Sequence, residues 1–208
     1  MDFNTEILRS DNTYCINLIN RTDRYNAVIE RFKKQGIDPI FWQVMPHNIP
    51  EIGCFQSHTA IIKHAQIVGK KIITVFEDDV VFLITNVKGM VNEIMNQLPN
   101  NWEILYLCAN THLKLKQFSD NLFVADTVYN TAAIVYNLVS IYGKYECFKH
   151  AHDIPMPYDK WIAETVQPYK KCFVAYPLIC TQEAGYSDIA KGNTDYLFIE
   201  ERYKKFVK

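Results

Sequence analysis

The sequence predicts one α/β domain whose mostly parallel sheet is flanked by helices. Three observations carry that expectation. Short runs rich in β-branched and aromatic residues alternate with stripes of apolar residues at helical spacing. One such run, Ile72 to Phe76, passes directly into Glu77, Asp78 and Asp79, which places three carboxylates at the carboxyl end of a strand. Finally, 208 residues with 49% hydrophobic content suffice for one substantial core, and no repeat, low-complexity tract or linker divides them.

Thr13 to Ile19 reads as the first strand. The turn Asn20 to Asp23 follows, with Thr22 or Asp23 as the cap of a helix whose apolar positions are Tyr25, Val28, Ile29 and Phe32. Gly36 ends that helix and Ile37 packs back on it. Ile40 to Val44 is the second strand, and Met45 to Gly53, with two prolines, is a loop. A helix is expected from Cys54 to about Val68, with Cys54, His58, Ile61, Ile62, Ala65 and Val68 on one face and Gly69 closing it. Lys71 to Phe76 is the third strand. Val87, Val91, Ile94, Met95 and Leu98 stripe the next helix, which Pro99 stops. Glu103 to Cys108, Leu122 to Val124, Thr131 to Tyr136 and Cys172 to Ala175 read as further strands. Leu138, Ile141, Tyr142, Tyr145 and Phe148 make another helical stripe, and a short helix covers about Lys160 to Val166. Beyond Pro177 the chain reads as polar and irregular until a charged helix over about 197–208.

A net charge of −1 supplies no basic field for nucleic acid. Six cysteines show no metal-ligand spacing, and Cys15 and Cys108 sit inside strand-like runs, which suits a reducing compartment. Met1 to Glu6 lacks the basic and apolar regions of a signal peptide, and no run reaches transmembrane length. The expectation is a cytoplasmic chain, with any membrane contact peripheral and made by the basic, aromatic segment Tyr203 to Lys208.

Chemistry concentrates at five places. The carboxylates Glu77, Asp78 and Asp79 lie where ligands bind in open α/β sheets, and crowded like charges there call for a cation, water or a basic partner. A hard divalent ion holding phosphate oxygens is the economical occupant, and a solvated acidic turn is the plain alternative. The turn carrying Arg21 and Arg24 joins a strand to a helix N-terminus, a setting for a pyrophosphate or simply for exposed arginines. Ser57 and His58 fall on the second helix, as site groups or as a backbone-bonded hydroxyl and a core histidine. Asp159 lies between Tyr158 and Trp161, where desolvation suits a general base and a helix cap is equally in keeping. Gln182 to Asp188 is a polar loop with the carboxylates Glu183 and Asp188. No dinucleotide-binding glycine fingerprint, P-loop or nucleophile elbow is present.

Taken in order, Ile16-Asn17-Leu18 with Arg21 and Arg24, Gly53-Cys54 with Ser57-His58, Phe76 through Val80, and the Trp102 to Leu105 strand resemble glycosyltransferase family 25. Tyr158-Asp159 and Tyr186 to Ile189 resemble its later motifs, so the resemblance spans about Tyr14 to Ile189. That family includes lipopolysaccharide β-galactosyltransferases and collagen hydroxylysine galactosyltransferases. The resemblance implies a GT-A-like fold, a nucleotide-sugar donor that is usually UDP-linked, Mn²⁺ or Mg²⁺, and inverting transfer. It implies a metal group of Glu77, Asp78 and Asp79, the outer two as members of a DxD-like element. Donor binding falls to Asn17, Leu18, Arg21, Arg24, Ser57, His58, Glu77, Asp78 and Ser187, with His58 supporting the floor rather than touching the ion. Asp159 is the first choice of base, Glu183 and Asp188 the second.

Two departures stand out. No histidine follows His152, so Ser187, Asp188, Gln182 or water must take the place of the late histidine ligand many GT-A enzymes use. The chain also leaves little room for a large acceptor-binding insertion. The acceptor is expected to be a carbohydrate, a lipid-linked glycan or a hydroxylated peptide. Two other readings stay open here: a two-carboxylate glycoside hydrolase, and a non-catalytic nucleotide-sugar binder.

Overall fold

The computed structural model describes residues 7–141, 156–187 and 192–196, together with positions 199, 201, 203 and 205. In chain order its elements are β1 (Thr13–Leu18), α1 (Thr22–Lys34), β2 (Ile40–Val44), α2 (Pro50–Ile67), β3 (Ile72–Glu77), β4 (Val80–Phe82) and α3 (Val87–Met95). There follow β5 (Ile104–Tyr106), β6 (Asn110–Thr111), β7 (Lys116–Ser119), β8 (Leu122–Val124), β9 (Val128–Tyr129), β10 (Ala133–Asn137) and α4 (Leu138–Ile141). The last are α5 (Tyr158–Thr165), β11 (Cys172–Ala175), β12 (Cys180–Gln182), β13 (Gly185–Ser187) and β14 (Gly192–Thr194).

Eight strands form the central sheet in the order β2-β1-β3-β10-β5-β11-β8-β7. Six of them share one direction, while β10 and β8 run against it. The two-residue period of the strands divides the core into two layers. Tyr14, Ile73, Val75, Ile134, Tyr136, Ile104, Tyr106, Cys172 and Val174 face one layer, which α2 and α5 cover with Phe55, Ile61, Ile62, Trp161 and Ile162. Cys15, Phe76, Ala133, Val135, Leu105 and Phe173 face the other, covered by Val28 and Phe32 of α1 and by Val87, Val91 and Ile94 of α3. Phe32 meets the rings of Phe76 and Phe82 edge-on, at centroid separations of 5.3 and 5.6 Å. Fully burying such a side chain stabilises the fold by about 1.5–3 kcal/mol.

Both glycine stops work as expected. Gly36 and Gly69 have φ of +61° and +77°. Each closes a Schellman turn, with Ile37 N–H bonded to Phe32 O after α1 and Lys70 N–H bonded to Ala65 O after α2. Other expectations need correcting. Arg21 occupies the N-cap of α1, and neither Thr22 nor Asp23 caps it. Helix α2 starts at Pro50 rather than Cys54, because proline at the first helical position forfeits no hydrogen bond. Val68 is half exposed rather than on the packed face. Among the described residues beyond Pro177 there are three strands rather than irregular chain: β12 pairs with β4, and β13 with β14. These strands have three residues each, too short for a period to show. Tyr142, Tyr145 and Phe148 of the expected helical stripe lie outside the described residues.

In the C-terminal segment, Ile199 and Tyr203 are buried while Glu201 and Lys205 are exposed. Tyr203 donates its hydroxyl to Ala175 O at 2.6 Å, so the apolar side of this segment packs inward. Among the described residues no helix is long and apolar enough to cross a membrane.

Candidate active site

The carboxyl ends of β1 and β3, the first turns of α1, α2 and α5, and the turn between β9 and β10 enclose a cleft of about 420 Å³. A cleft at this edge is where the parallel part of an open α/β sheet places a ligand. Leu18, Arg21, Arg24, Ser57, Glu77, Asp78, Asp79 and Asp159 all line it. Residues far apart in the chain are therefore brought together.

Because β3 ends at Glu77, the three carboxylates fan out in different directions. Glu77 Oε1 turns toward α2, accepting from Thr131 Oγ1 at 2.6 Å and lying 3.4 Å from His58 Nε2. Burial raises its pKa, but His58, Thr131 and Arg24 outweigh burial and hold it below the usual value. Asp78 accepts from Asn17 Nδ2 at 2.8 Å and from Arg24 Nη1 at 3.0 Å. Burial still pushes its pKa up. Asp79 lies 3.3 Å from Arg24 Nη1 and accepts from Gln182 Nε2 at 3.3 and 3.4 Å. Burial, with Glu77 and Asp78 nearby, pushes it up to about 7. One guanidinium thus faces two buried carboxylates with a third close by.

Arg24 is not an open anion hook, since Asp78 and Asp79 already engage it. Removing one partner of a buried ion pair leaves uncompensated charge. Arg24→Ala is therefore expected to cost on the order of 3 kcal/mol of stability, with Mn²⁺ restoring part of the loss. Thermal melting with and without the ion measures both, and an unchanged, ion-insensitive midpoint refutes the expectation. Arg21 makes a two-pronged contact with Asp23 at 3.0 and 2.8 Å, which holds the Asp23 carboxyl down to about 2.

Asn17 is buried behind the cleft, and its Oδ1 has no hydrogen-bond partner among the described residues. Ser57 donates to Gly53 O at 2.7 Å, the backbone bond that a helical serine makes. His58 is fully buried beneath the floor, its Nδ1 3.1 Å from the Tyr136 hydroxyl. Asp159 is not the N-cap of α5, which is Pro157. It lies in the first turn, where Oδ1 accepts from Lys160 N–H at 2.7 Å and Oδ2 from Asn130 N–H at 3.2 Å. Burial raises its pKa against these bonds.

Glu183 does not line the cleft. Its carboxylate pairs with Arg31 of α1 at 2.5 Å, and only its backbone N–H reaches the site, bonding Asp79 O at 2.7 Å. The strand containing Ser187 is β13, and Asp188 lies outside the described residues.

Sequence reasoning missed Asn130 and Thr131. Asn130 holds a φ of 91°, in the left-handed region that asparagine tolerates better than most residues. Its Nδ2 donates to Gln182 Oε1, so Asn130 and Gln182 link Asp159 to Asp79. The only advance signal was an Asn-Thr pair ahead of a strand.

Residues 46–150 match the family described as glycosyltransferase family 25 (LPS biosynthesis protein), which covers half of the chain and carries the second-helix and triple-carboxylate motifs. The chain belongs to glycosyltransferase family 25. Among curated proteins none matches it in sequence. A solved structure similar to this family 25 glycosyltransferase is that of a glycosyltransferase involved in glycosylation of the major capsid of PBCV-1. The two share 11% identity at a TM-score of 0.53, over 78% of this chain and 79% of the other. A Drosophila β-1,4-galactosyltransferase 7 variant in complex with manganese, UDP-Gal and xylobiose aligns at a TM-score of 0.40 and 8% identity. That alignment covers 95% of this chain and 81% of the other. The family 25 enzyme has a GT-A-like fold, and it is a transferase rather than the hydrolase or passive binder that shared its residue pattern.

Proposed function

We propose that this family 25 enzyme acts as one domain that moves a hexose from a UDP-linked donor to an acceptor hydroxyl with inversion, assisted by Mn²⁺ or Mg²⁺. The observation that carries the reading is the charge imbalance at the end of β3. Glu77, Asp78 and Asp79 meet Arg24, and Asp79 is still pushed up to about 7. The donors that Asp78 and Asp79 offer are all oxygen, the set that suits a hard divalent ion. Asp78 and Asp79 would hold the ion, and Glu77 supplies further negative charge. When bound, the ion stabilises the negative charge that develops on the departing diphosphate.

The remaining steps belong to the protein's own residues. The first turn of α1, with Arg21 at its rim, presents backbone N–H groups and a helix dipole to the diphosphate. Asp159, fixed by Asn130 and raised by burial, takes the proton of the acceptor hydroxyl. The acceptor oxygen bonds to the anomeric carbon as the bond from that carbon to phosphate oxygen breaks, and its electron pair leaves with UDP. Attack opposite the leaving group inverts the centre. The acceptor is a carbohydrate, a lipid-linked glycan or a hydroxylated peptide.

The test is a thermal-shift and donor-hydrolysis panel of nucleotide sugars with and without Mn²⁺. UDP at about a hundred times its Kd in the presence of Mn²⁺ should stabilise by about 2.7 kcal/mol. For a chain of this size each kcal/mol moves the midpoint by about 2–4 °C. An equal shift from UDP after chelation would remove the ion from the reading, and a preference for another nucleotide would change the donor.

A further inference from the structure

Cys54 and His58 stand one helical turn apart on α2, and Glu77 at the end of β3 faces both. One ligand atom from each of Cys54, His58 and Glu77 lies within 4.8 Å of the other two. His58 Nε2 is 3.4 Å and Cys54 Sγ 3.9 Å from the same Glu77 oxygen. The first of these separations is long for a hydrogen bond between such groups. Both are close to what a shared ion requires: donors held at about 2.0–2.3 Å around a tetrahedral zinc lie about 3.3–3.6 Å apart.

The surroundings agree. His58 Nδ1 is engaged by the Tyr136 hydroxyl at 3.1 Å, and Tyr136 is in turn 3.2 Å from the Tyr158 hydroxyl. A partner on the second ring nitrogen is how metal-ligating histidines are oriented. Cys54, Glu77 and Thr131 line the cleft, so an ion has a route in, while His58 is fully buried below. Thr131 Oγ1 is 4.0 Å from Cys54 Sγ, leaving a hydroxyl or a water for a fourth position.

We propose that Cys54, His58 and Glu77 form a second cation site in the floor of the cleft, built for a zinc-class ion and distinct from the all-oxygen pair Asp78 and Asp79. Mixed sulfur, nitrogen and oxygen donors select a borderline ion where carboxylates alone select Mg²⁺ or Mn²⁺. Occupancy ties α2 to the end of β3 and fixes the direction of Glu77. It requires neither a particular donor nor Asp159 as the base.

The experiment uses the whole chain, stripped with a chelator and titrated with Co²⁺ as a coloured substitute for Zn²⁺. One equivalent should give the visible bands of a tetrahedral centre and a near-ultraviolet sulfur-to-metal band. Zn²⁺ should displace it and Mg²⁺ should not. Cys54→Ser should abolish the sulfur band and weaken Zn²⁺ binding by at least the roughly 10–100-fold that loss of an outer-shell partner costs. Asp79→Asn should leave both intact. Circular dichroism checks that the variants fold, and Cys54→Ala serves if the serine form does not. No sulfur band in the wild type overturns the proposal. So does a band that survives loss of Cys54, or Zn²⁺ binding that is lost in Asp79→Asn yet kept in Cys54→Ser.

Discussion

Replacing Asp159 by asparagine is expected to lower glycosyl transfer by roughly 10²–10⁴-fold, the range a positioned general base contributes, while UDP affinity stays near that of the wild type. The separation follows from the geometry. Asp159 stands at the first turn of α5 and, among the described residues, is linked by hydrogen bonds to Asp79 of the acidic triplet through Asn130 and Gln182, so the donor side keeps its own contacts. The amide keeps the acceptor capacity that Lys160 N–H or Asn130 N–H uses, which favours a folded variant. Kinetics on a true acceptor should show kcat falling while donor KM holds. Retained transfer would exclude Asp159 and redirect the search to Asp188, because Glu183 is directed to Arg31. Loss of folding would assign Asp159 a structural role at the start of α5.

Asp79→Asn is expected to abolish the stabilisation of the UDP complex by Mn²⁺ and to remove the contribution of Asp79 to the pH dependence of the ion-free protein. The sign follows from linkage. Asp79 is raised from 3.8 to about 7 on folding, so between these values the folded chain binds a proton that the unfolded chain has released. Its contribution to stability is therefore full below about pH 4 and is lost as pH rises through about 7. Divalent ion binding needs the deprotonated carboxylate, so the gain from Mn²⁺ should grow over the same rise. Melting curves from pH 6 to 8 should diverge with and without Mn²⁺ in the wild type. They should coincide in Asp79→Asn, which without the ion should melt no lower than the wild type at pH 8. A variant that keeps the ion-dependent shift would place the ion elsewhere.

What could be read from sequence here depended on neighbours along the chain. Schellman glycines, strand runs and the Ile72 to Phe76 approach to the carboxylates are local patterns, and Gly36, Gly69 and β3 are where they were expected. The misses share a cause. Nothing local says that β10 enters the sheet antiparallel between β3 and β5, yet that insertion sets Thr131 against Glu77 and Asn130 against Asp159. Arg24 looked like a free cation because its partners are 54 and 55 residues away. Glu183 stood as a second choice of base because its pairing with Arg31, across the β12–β4 contact with α1, which turns its carboxylate from the cleft, is invisible along the chain.

The α/β class, the family motifs and the crowding of carboxylates at one strand end were legible along the chain, because each is carried by residues within a few positions of one another. The tertiary structure alone decided which carboxylate faces a guanidinium, which faces the imidazole and thiol of α2, and which is held by backbone N–H groups at the start of α5. Those assignments rest on strand order and on burial. Burial also raises Asp79 but is outweighed at Glu77, by contacts that no pattern along the chain records.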